Sequence, residues 1–167
     1  MSQNGEFLVR VLSIGVGATL FMDLWAALLR RFGVRSLDFA LLGRWIGSWP
    51  RGRWSHPDIA RAAPVRGERA LGWAAHYGIG VGFAALLLAS VGLDWARAPS
   101  PLPALGIGLV TAAAPLLVLQ PALGAGIASS KTPRPWFNAS KSVVTHAVYG
   151  LGLYAAAWIG AELWAGA

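Results

Sequence analysis

Apolar residues in this chain are concentrated in four long runs, which cover approximately residues 8–29, 70–91, 102–128 and 142–163. A membrane-crossing helix needs roughly 20 apolar residues, so each run is long enough to span a bilayer. The third run is longer than required and contains Pro115 and Pro121, which predict a kink or a tilt. The pattern therefore predicts an all-α integral membrane four-helix bundle, formed as one domain over residues 1–167.

Composition supports this fold class. Hydrophobic residues make up 56% of the chain and charged residues only 13%, whereas soluble domains average about 25% charged residues. The mean hydropathy is +0.54. The sequence contains no cysteine, which excludes disulfide frameworks, thiolate metal sites and thiol redox chemistry.

The polar connections 30–69 and 129–141 carry most of the positive charge. Twelve of the fourteen Lys and Arg residues lie in or beside these two loops, while Arg10 and Arg97 lie on the opposite side. By the positive-inside rule, both loops are predicted to be cytoplasmic and both termini periplasmic in a bacterial inner membrane. The net charge of +7 then reflects topology, so we expect anionic lipid headgroups as partners and no nucleic acid.

The longer loop predicts an interfacial element of its own. The stretch "SLDFALLGRWIGSWPRGRW" is typical of a short amphipathic helix at headgroup depth, with a Ser36 N-cap. Its interleaved aromatic and basic side chains predict lipid-headgroup contacts by Arg44, Trp45, Trp49, Arg51, Arg53 and Trp54. We expect His56 to be exposed, and Glu68 to pair with Arg66, with Arg69 or with a backbone N–H.

The predicted spans contain few strongly polar side chains, and three ionisable ones share a depth. Asp23 lies seven residues before Arg30, and His76 lies seven residues after Arg69, so each is roughly 10 Å inside the same boundary. His146 follows Lys141 by five residues, or roughly 7 Å. Gln120 lies deeper, near the middle of the third run.

Each of these ionisable residues shares a helix face with small residues at four-residue spacing, which favours close helix packing. Glycine follows four residues after both His76 ("HYGIG") and His146 ("HAVYG"), a weak sign of two related hairpins. A carboxylate inside the membrane is costly unless it has a partner. We therefore expect Asp23 to face His76 or His146.

Three interpretations of this Asp–His–His layer stay open. It can be a structural hydrogen-bond network. It can be a cofactor site, either for a haem ligated by His76 and His146 or for a divalent metal held by His76, His146 and Asp23. It can also be a relay for protons or small solutes that includes Gln120. A non-enzymatic transport or ligand-binding protein is favoured, and the small size of one copy favours a homo-oligomer. The alternatives are a haem or metal enzyme, or an accessory subunit of a larger complex.

Four stretches also resemble a known family: "GVGATLFMDLW", "GRWIGSWPRGRWSHPDIARAAPVRGERALGWAAHYGIG", "LQPALGAGIASSKTPRPW" and "THAVYGLGLY". They are similar to a family of small bacterial inner-membrane proteins that is classified only as a domain of unknown function. The resemblance covers nearly the whole chain and implies a four-span membrane protein. The positions that match the family pattern are Asp23, Arg66, Glu68, His76, Gln120 and His146. The resemblance implies no reaction, substrate or ligand.

Overall fold

The computed structural model describes residues 2–166, which contain helices and no strand. Four helical segments are long and apolar enough to cross a membrane, as predicted, and we call them the first to fourth spans: Gln3–Arg31, Glu68–Val91, Pro101–Ala122 and Pro135–Ala165. A shorter helix, Phe39–Ser48, follows the first span and is called the loop helix. The protein is therefore an all-helical, multi-pass membrane protein.

The spans form an antiparallel bundle in which the first span packs along both the second and the fourth, and the third packs along the fourth. Residues 32–67 and 123–134 lie at one end of the bundle, called the basic face. The short helix Leu93–Arg97 lies at the other end, called the terminal face, where the first span begins and the fourth ends.

Arg10 and Arg97 meet at the terminal face, which confirms that they share a side. Both guanidinium groups bind the Glu6 carboxylate, at 2.9 Å from Arg10 Nε and 2.7 Å from Arg97 Nη2. Arg10 is buried. Its guanidinium group also donates to the Ala96 carbonyl at 2.6 Å and lies 3.9 Å from the Trp164 ring centroid. The hydrogen-bonded Glu6 carboxylate raises the pKa of Arg97.

The apolar core occupies the half of the bundle nearer the terminal face. Its largest fully buried side chains are Ile14, Leu87, Leu88, Tyr149 and Leu153. These residues belong to the first, second and fourth spans. The half nearer the basic face instead contains the polar residues predicted as a layer.

Small residues allow the spans to approach closely, as the sequence pattern indicated. A Cβ atom added to Gly108 would lie 2.7 Å from the Gly150 Cα, so no side chain fits between the third and fourth spans there. Gly80 of the second span lies in a similar way against Thr19 of the first. The glycine four residues after each histidine therefore packs against the preceding span in both hairpins.

The third span departs from its predicted bounds. Pro115 lies in a π-helical turn, Ala114–Leu119, where the Gln120 N–H donates to the Pro115 carbonyl. A proline widens or kinks a helix because it lacks the N–H of a regular turn. The helix ends at Ala122 rather than near residue 128, because Gly124 and Gly126 adopt positive φ angles of 95° and 76°.

The loop helix also differs from expectation. It begins at Phe39, and its N-cap is Asp38, whose side chain accepts from the Ala40 N–H. The predicted Ser36 cap is therefore wrong. One face of the helix lies on the start of the second span, where Gly43 approaches the Glu68 carbonyl so closely that a Cβ would overlap it.

Candidate functional site

Asp23 is held by two consecutive residues of the second span. His76 Nε2 lies 2.9 Å from Asp23 Oδ1, and the Tyr77 hydroxyl donates to Oδ2 at 3.1 Å. Both side chains of the Asp23–His76 contact are largely buried, with 18% and 9% exposed. The expectation that Asp23 faces His76 or His146 is confirmed for His76, and we call Asp23, His76 and Tyr77 the polar triad.

Tyr77 is the member of the triad that sequence reasoning missed. Adjacent helical residues point about 100° apart, so a depth comparison alone did not bring Tyr77 into the site. The signal available was its place beside His76 in "HYGIG". Its hydroxyl gives the second carboxylate oxygen a partner, which lowers the cost of burying the charge.

Aromatic rings enclose the imidazole of His76. Phe39 of the loop helix stacks on it with ring centroids 4.0 Å apart and planes inclined by 26°. The Trp73 ring lies edge-on at 5.7 Å. Phe39 reaches this position because Gly72 lies directly against the Phe39 carbonyl, where a Cβ would overlap it.

The contact with Asp23 fixes the orientation of the His76 ring. Nε2 is the ring nitrogen that lies against the carboxylate, so the other nitrogen, Nδ1, is directed away from it. A carboxylate that binds one nitrogen of an imidazole sets the orientation of the whole ring. Asp23 therefore acts as the group that orients His76.

His146 lies apart from the triad. Its Nδ1 is 3.1 Å from the Thr111 hydroxyl, which itself donates to the Gly108 carbonyl at 2.9 Å. Phe83 lies beside the ring, with centroids 6.3 Å apart. The histidine faces the third span because Gly108 and Gly150 bring the third and fourth spans together. The single Asp–His–His layer expected from matched depths is therefore divided between two helix pairs.

This division bears on the expected metal site. The part of the chain that the structure describes contains no group of three His, Cys, Asp or Glu side chains placed to hold a metal ion. The predicted set of His76, His146 and Asp23 is not assembled, because His146 binds Thr111 instead. Matched depth did not specify which neighbour each helix face contacts.

Gln120 joins the third and fourth spans near the basic face. Its Nε2 donates to the Ser142 hydroxyl at 3.0 Å, and its Oε1 accepts from the Ser129 hydroxyl at 3.0 Å. Ser129 has a positive φ of 62°, an unusual angle for a residue with a side chain. Gln120 thus fixes the connecting loop and does not contact the triad through these bonds.

Arg44 was predicted to contact lipid headgroups, but it is engaged within the protein. Its Nε and Nη2 donate to the two Glu68 carboxylate oxygens at 2.9 and 2.8 Å, a bidentate pair. The hydrogen-bonded carboxylate raises the pKa of Arg44. The remaining nitrogen, Nη1, donates to three loop carbonyls, those of Ile59, Ala60 and Ala62. Glu68 therefore pairs with Arg44, not with Arg66 or Arg69, and it also accepts from the Val65 N–H.

The tryptophans of the predicted headgroup set pack on each other. The Trp45 and Trp49 rings meet edge to face at 4.9 Å, and the Trp49 and Trp54 rings stack at 5.3 Å. The Trp45 indole donates to the Trp54 carbonyl at 2.8 Å. Trp54, Arg51 and Arg53 are exposed at the basic face. Contact of this set with headgroups stays a prediction.

His56 was expected to be exposed, and this expectation is wrong. The residue is buried, with its Nε2 3.0 Å from the Ser48 hydroxyl. Its backbone N–H donates to the Ala122 carbonyl at 2.8 Å. Gly124 allows this contact because its backbone lies directly against the carbonyl groups of His56 and Pro57. The loop thereby joins the end of the third span to the loop helix.

An open pocket of about 540 Å³ lies at the basic face next to the triad. We call it the basic pocket, and its principal lining residues are Arg30, Arg35, Asp38, Phe39, Arg69 and Trp73. Phe39 and Trp73 line the pocket and also contact the His76 ring. These two aromatic rings therefore connect the pocket to the polar triad.

Comparison with protein families identifies the family of this chain. The family described as "Protein of unknown function (DUF2938)" matches residues 12–160. The chain belongs to this family. The resemblance to a four-span domain of unknown function is thus confirmed, and the match includes the triad, His146 and Gln120. No curated protein and no solved structure matches the chain.

Proposed function

We propose that this protein is a ligand-binding membrane protein and that the basic pocket is its binding site. In this proposal, binding of the ligand is coupled to the gain or loss of a proton by the polar triad. The observation that carries the proposal is the stacking of Phe39, a pocket-lining residue, on the His76 ring at 4.0 Å. A ligand that displaces Phe39 changes the environment of His76. By reciprocity, protonation of His76 changes ligand affinity.

The triad is suited to this role by its residue types. Histidine is the side chain that most readily exchanges a proton near neutral pH. The Asp23 carboxylate is bound to both His76 and Tyr77, so the orientation of the imidazole ring is fixed. Ionisable residues within membrane spans are typically functional because their burial is otherwise costly.

The distribution of packing favours binding over a continuous pathway through one copy. Fully buried apolar side chains, including Ile14, Leu87 and Leu153, fill the half of the bundle beyond the triad. The pocket opens at the opposite, basic face. Transport through the expected homo-oligomer would require this apolar half to open.

The concentration of basic residues supports an orientation with the basic face in the cytoplasm and the termini in the periplasm of a bacterial inner membrane. The two arginines of the terminal face are paired with the Glu6 carboxylate. Their charges therefore do little to balance the excess of positive charge on the basic face. In this orientation the pocket draws its ligand from the cytoplasm or from the inner leaflet.

Native mass spectrometry of the full chain in detergent tests the proposal. We expect the wild-type protein to carry a small-molecule adduct whose occupancy falls at least about fivefold in Asp23→Asn and His76→Gln. His146→Gln is the matched control, since His146 is a hydrogen-bonded histidine of a different helix pair, and it should keep the adduct. The same spectra report oligomeric state.

Absence of any adduct from the wild type, or equal retention by all three variants, would overturn the proposal. A Soret band, or a stoichiometric divalent metal that is lost in His76→Gln and His146→Gln, would instead favour the haem or metal alternative.

A further inference from the structure

We infer that the ligand of the basic pocket carries a phosphate group, an inference that rests on the proposed function of the pocket. Three guanidinium groups line the pocket and come from different parts of the chain: Arg30 is the penultimate residue of the first span, Arg35 lies in the loop after it, and Arg69 is the second residue of the second span. The fold therefore gathers three positive charges around one opening.

These three arginines are free to bind an anion. Among residues 2–166, none of them forms a salt bridge with a carboxylate. Glu68, the acidic neighbour of Arg69 in the chain, is occupied by Arg44. The one carboxylate that lines the pocket, Asp38, caps the loop helix by accepting from the Ala40 N–H.

Phosphate fits this arrangement better than a carboxylate does. A guanidinium group is a planar fork that binds phosphate through paired N–H···O bonds. A phosphate presents oxygens in several directions, so guanidinium groups from three places can bind it together, whereas one carboxylate offers two coplanar oxygens. Arg30 is already oriented by a 3.4 Å hydrogen bond to Ser36.

The remaining lining provides an apolar surface for the rest of the ligand. Phe39 and Trp73 lie at the pocket, and Trp73 is 42% exposed. The pocket volume of about 540 Å³ is within the usual range for small-molecule sites. A lipid headgroup and a soluble phosphate ester share this chemistry, and the experiment below separates them.

Isothermal titration of the full chain in a neutral detergent measures binding of two probes, inorganic phosphate and dihexanoyl phosphatidic acid. Dihexanoylglycerol, which lacks phosphate, controls for the acyl chains. The test variant is Arg30→Gln/Arg35→Gln/Arg69→Gln. The matched control is Arg31→Gln/Arg66→Gln/Arg134→Gln, which removes the same charge from exposed positions outside both the pocket lining and the predicted headgroup-contact set.

We expect the pocket variant to bind at least about tenfold more weakly, since each hydrogen bond between charged groups contributes substantially to affinity, and the control variant to change less than about twofold. Binding of phosphatidic acid alone assigns the site to a lipid, and comparable binding of inorganic phosphate assigns it to a soluble ligand. Absence of binding by both probes, equal losses in the two variants, or equal binding of dihexanoylglycerol would overturn the inference.

Circular dichroism verifies that the triple variant is folded, and if it is not, Arg35→Gln in the exposed loop replaces it with an expected loss of about threefold. His76→Gln separates the two proposals. If phosphate binding depends on the three arginines but is unaffected by His76→Gln, the inference of a phosphate ligand stands. The proposed coupling between binding and protonation of the triad is then wrong.

Discussion

Arg44 and Glu68 form a bidentate ion pair between the loop helix and the first residue of the second span, with N–O distances of 2.9 and 2.8 Å. The pair is mostly buried, with 12% and 16% of the two side chains exposed. Through its third nitrogen, Arg44 also fixes the loop that leads to Glu68. Arg44, which the sequence pattern predicted to contact lipid headgroups, therefore stabilises the basic face through contacts within the protein.

Replacement of Arg44 by methionine should destabilise the protein. Removal of one partner leaves the Glu68 carboxylate partly buried and unpaired, at a cost of about 2 kcal/mol, the lower end expected for such pairs because some exposure remains. For a chain of this size, that corresponds to a fall in Tm of about 5 °C. Arg51→Met, at an exposed position, is the control in thermal unfolding. Equal Tm values for the two variants would contradict a stabilising role for the pair.

Replacement of Gly72 by alanine should displace the loop helix from the second span. The new Cβ would overlap the Phe39 carbonyl, and overpacking of this kind costs about 2 kcal/mol. Gly78→Ala is the matched control, because it lies in the same helix with open space around it. Hydrogen exchange of residues 36–45 should rise in Gly72→Ala only. Unchanged exchange in that variant would show that the close contact is dispensable.

Replacement of Tyr77 by phenylalanine should weaken the triad without disrupting the helix. The Asp23 Oδ2 atom loses the donor at 3.1 Å, so stability should fall by about 1 kcal/mol. Tyr154→Phe is the comparison, since no hydrogen bond from the Tyr154 hydroxyl is found among the described residues. Chemical or thermal unfolding of both variants measures the difference. A loss in Tyr154→Phe as large as that in Tyr77→Phe would argue against the bond.

Replacement of Ser48 by alanine should loosen the loop that carries His56. The Ser48 hydroxyl lies within hydrogen-bond distance of His56 Nε2 and of the carbonyls of Trp45 and Arg53. Loss of this hydroxyl leaves buried polar atoms without a partner, at a cost of about 1–2 kcal/mol. Ser55→Ala, at an exposed position of the same loop, should be neutral in thermal unfolding and in proteolysis of residues 50–62. Protection of that loop in Ser48→Ala would contradict the expectation.

The four spans were predictable because membrane thickness sets a length requirement that the apolar runs satisfy directly. The pairing of Asp23 with His76 was also within reach, since equal depth and the cost of a lone carboxylate both favour it. Depth does not determine the direction in which a helix face points. His146 therefore shared the predicted depth and yet binds Thr111 of the third span.

The basic loop was less predictable for a different reason. Arg44 and Glu68 are 24 residues apart, and a positive charge near a membrane boundary has the same appearance in sequence whether it binds lipid or a carboxylate. Burial of His56 depends on the backbone of Gly124 in another connection. Contacts of this type follow from the docking of two loops, which no local pattern encodes.

The closed apolar half of the bundle has a consequence for access to the triad. Ile14, Leu87 and Leu153 are almost fully buried between the triad and the terminal face. The basic pocket opens at the opposite face, and its lining residues Phe39 and Trp73 contact the His76 ring. A molecule that enters through this pocket therefore approaches the triad from one side of the bundle.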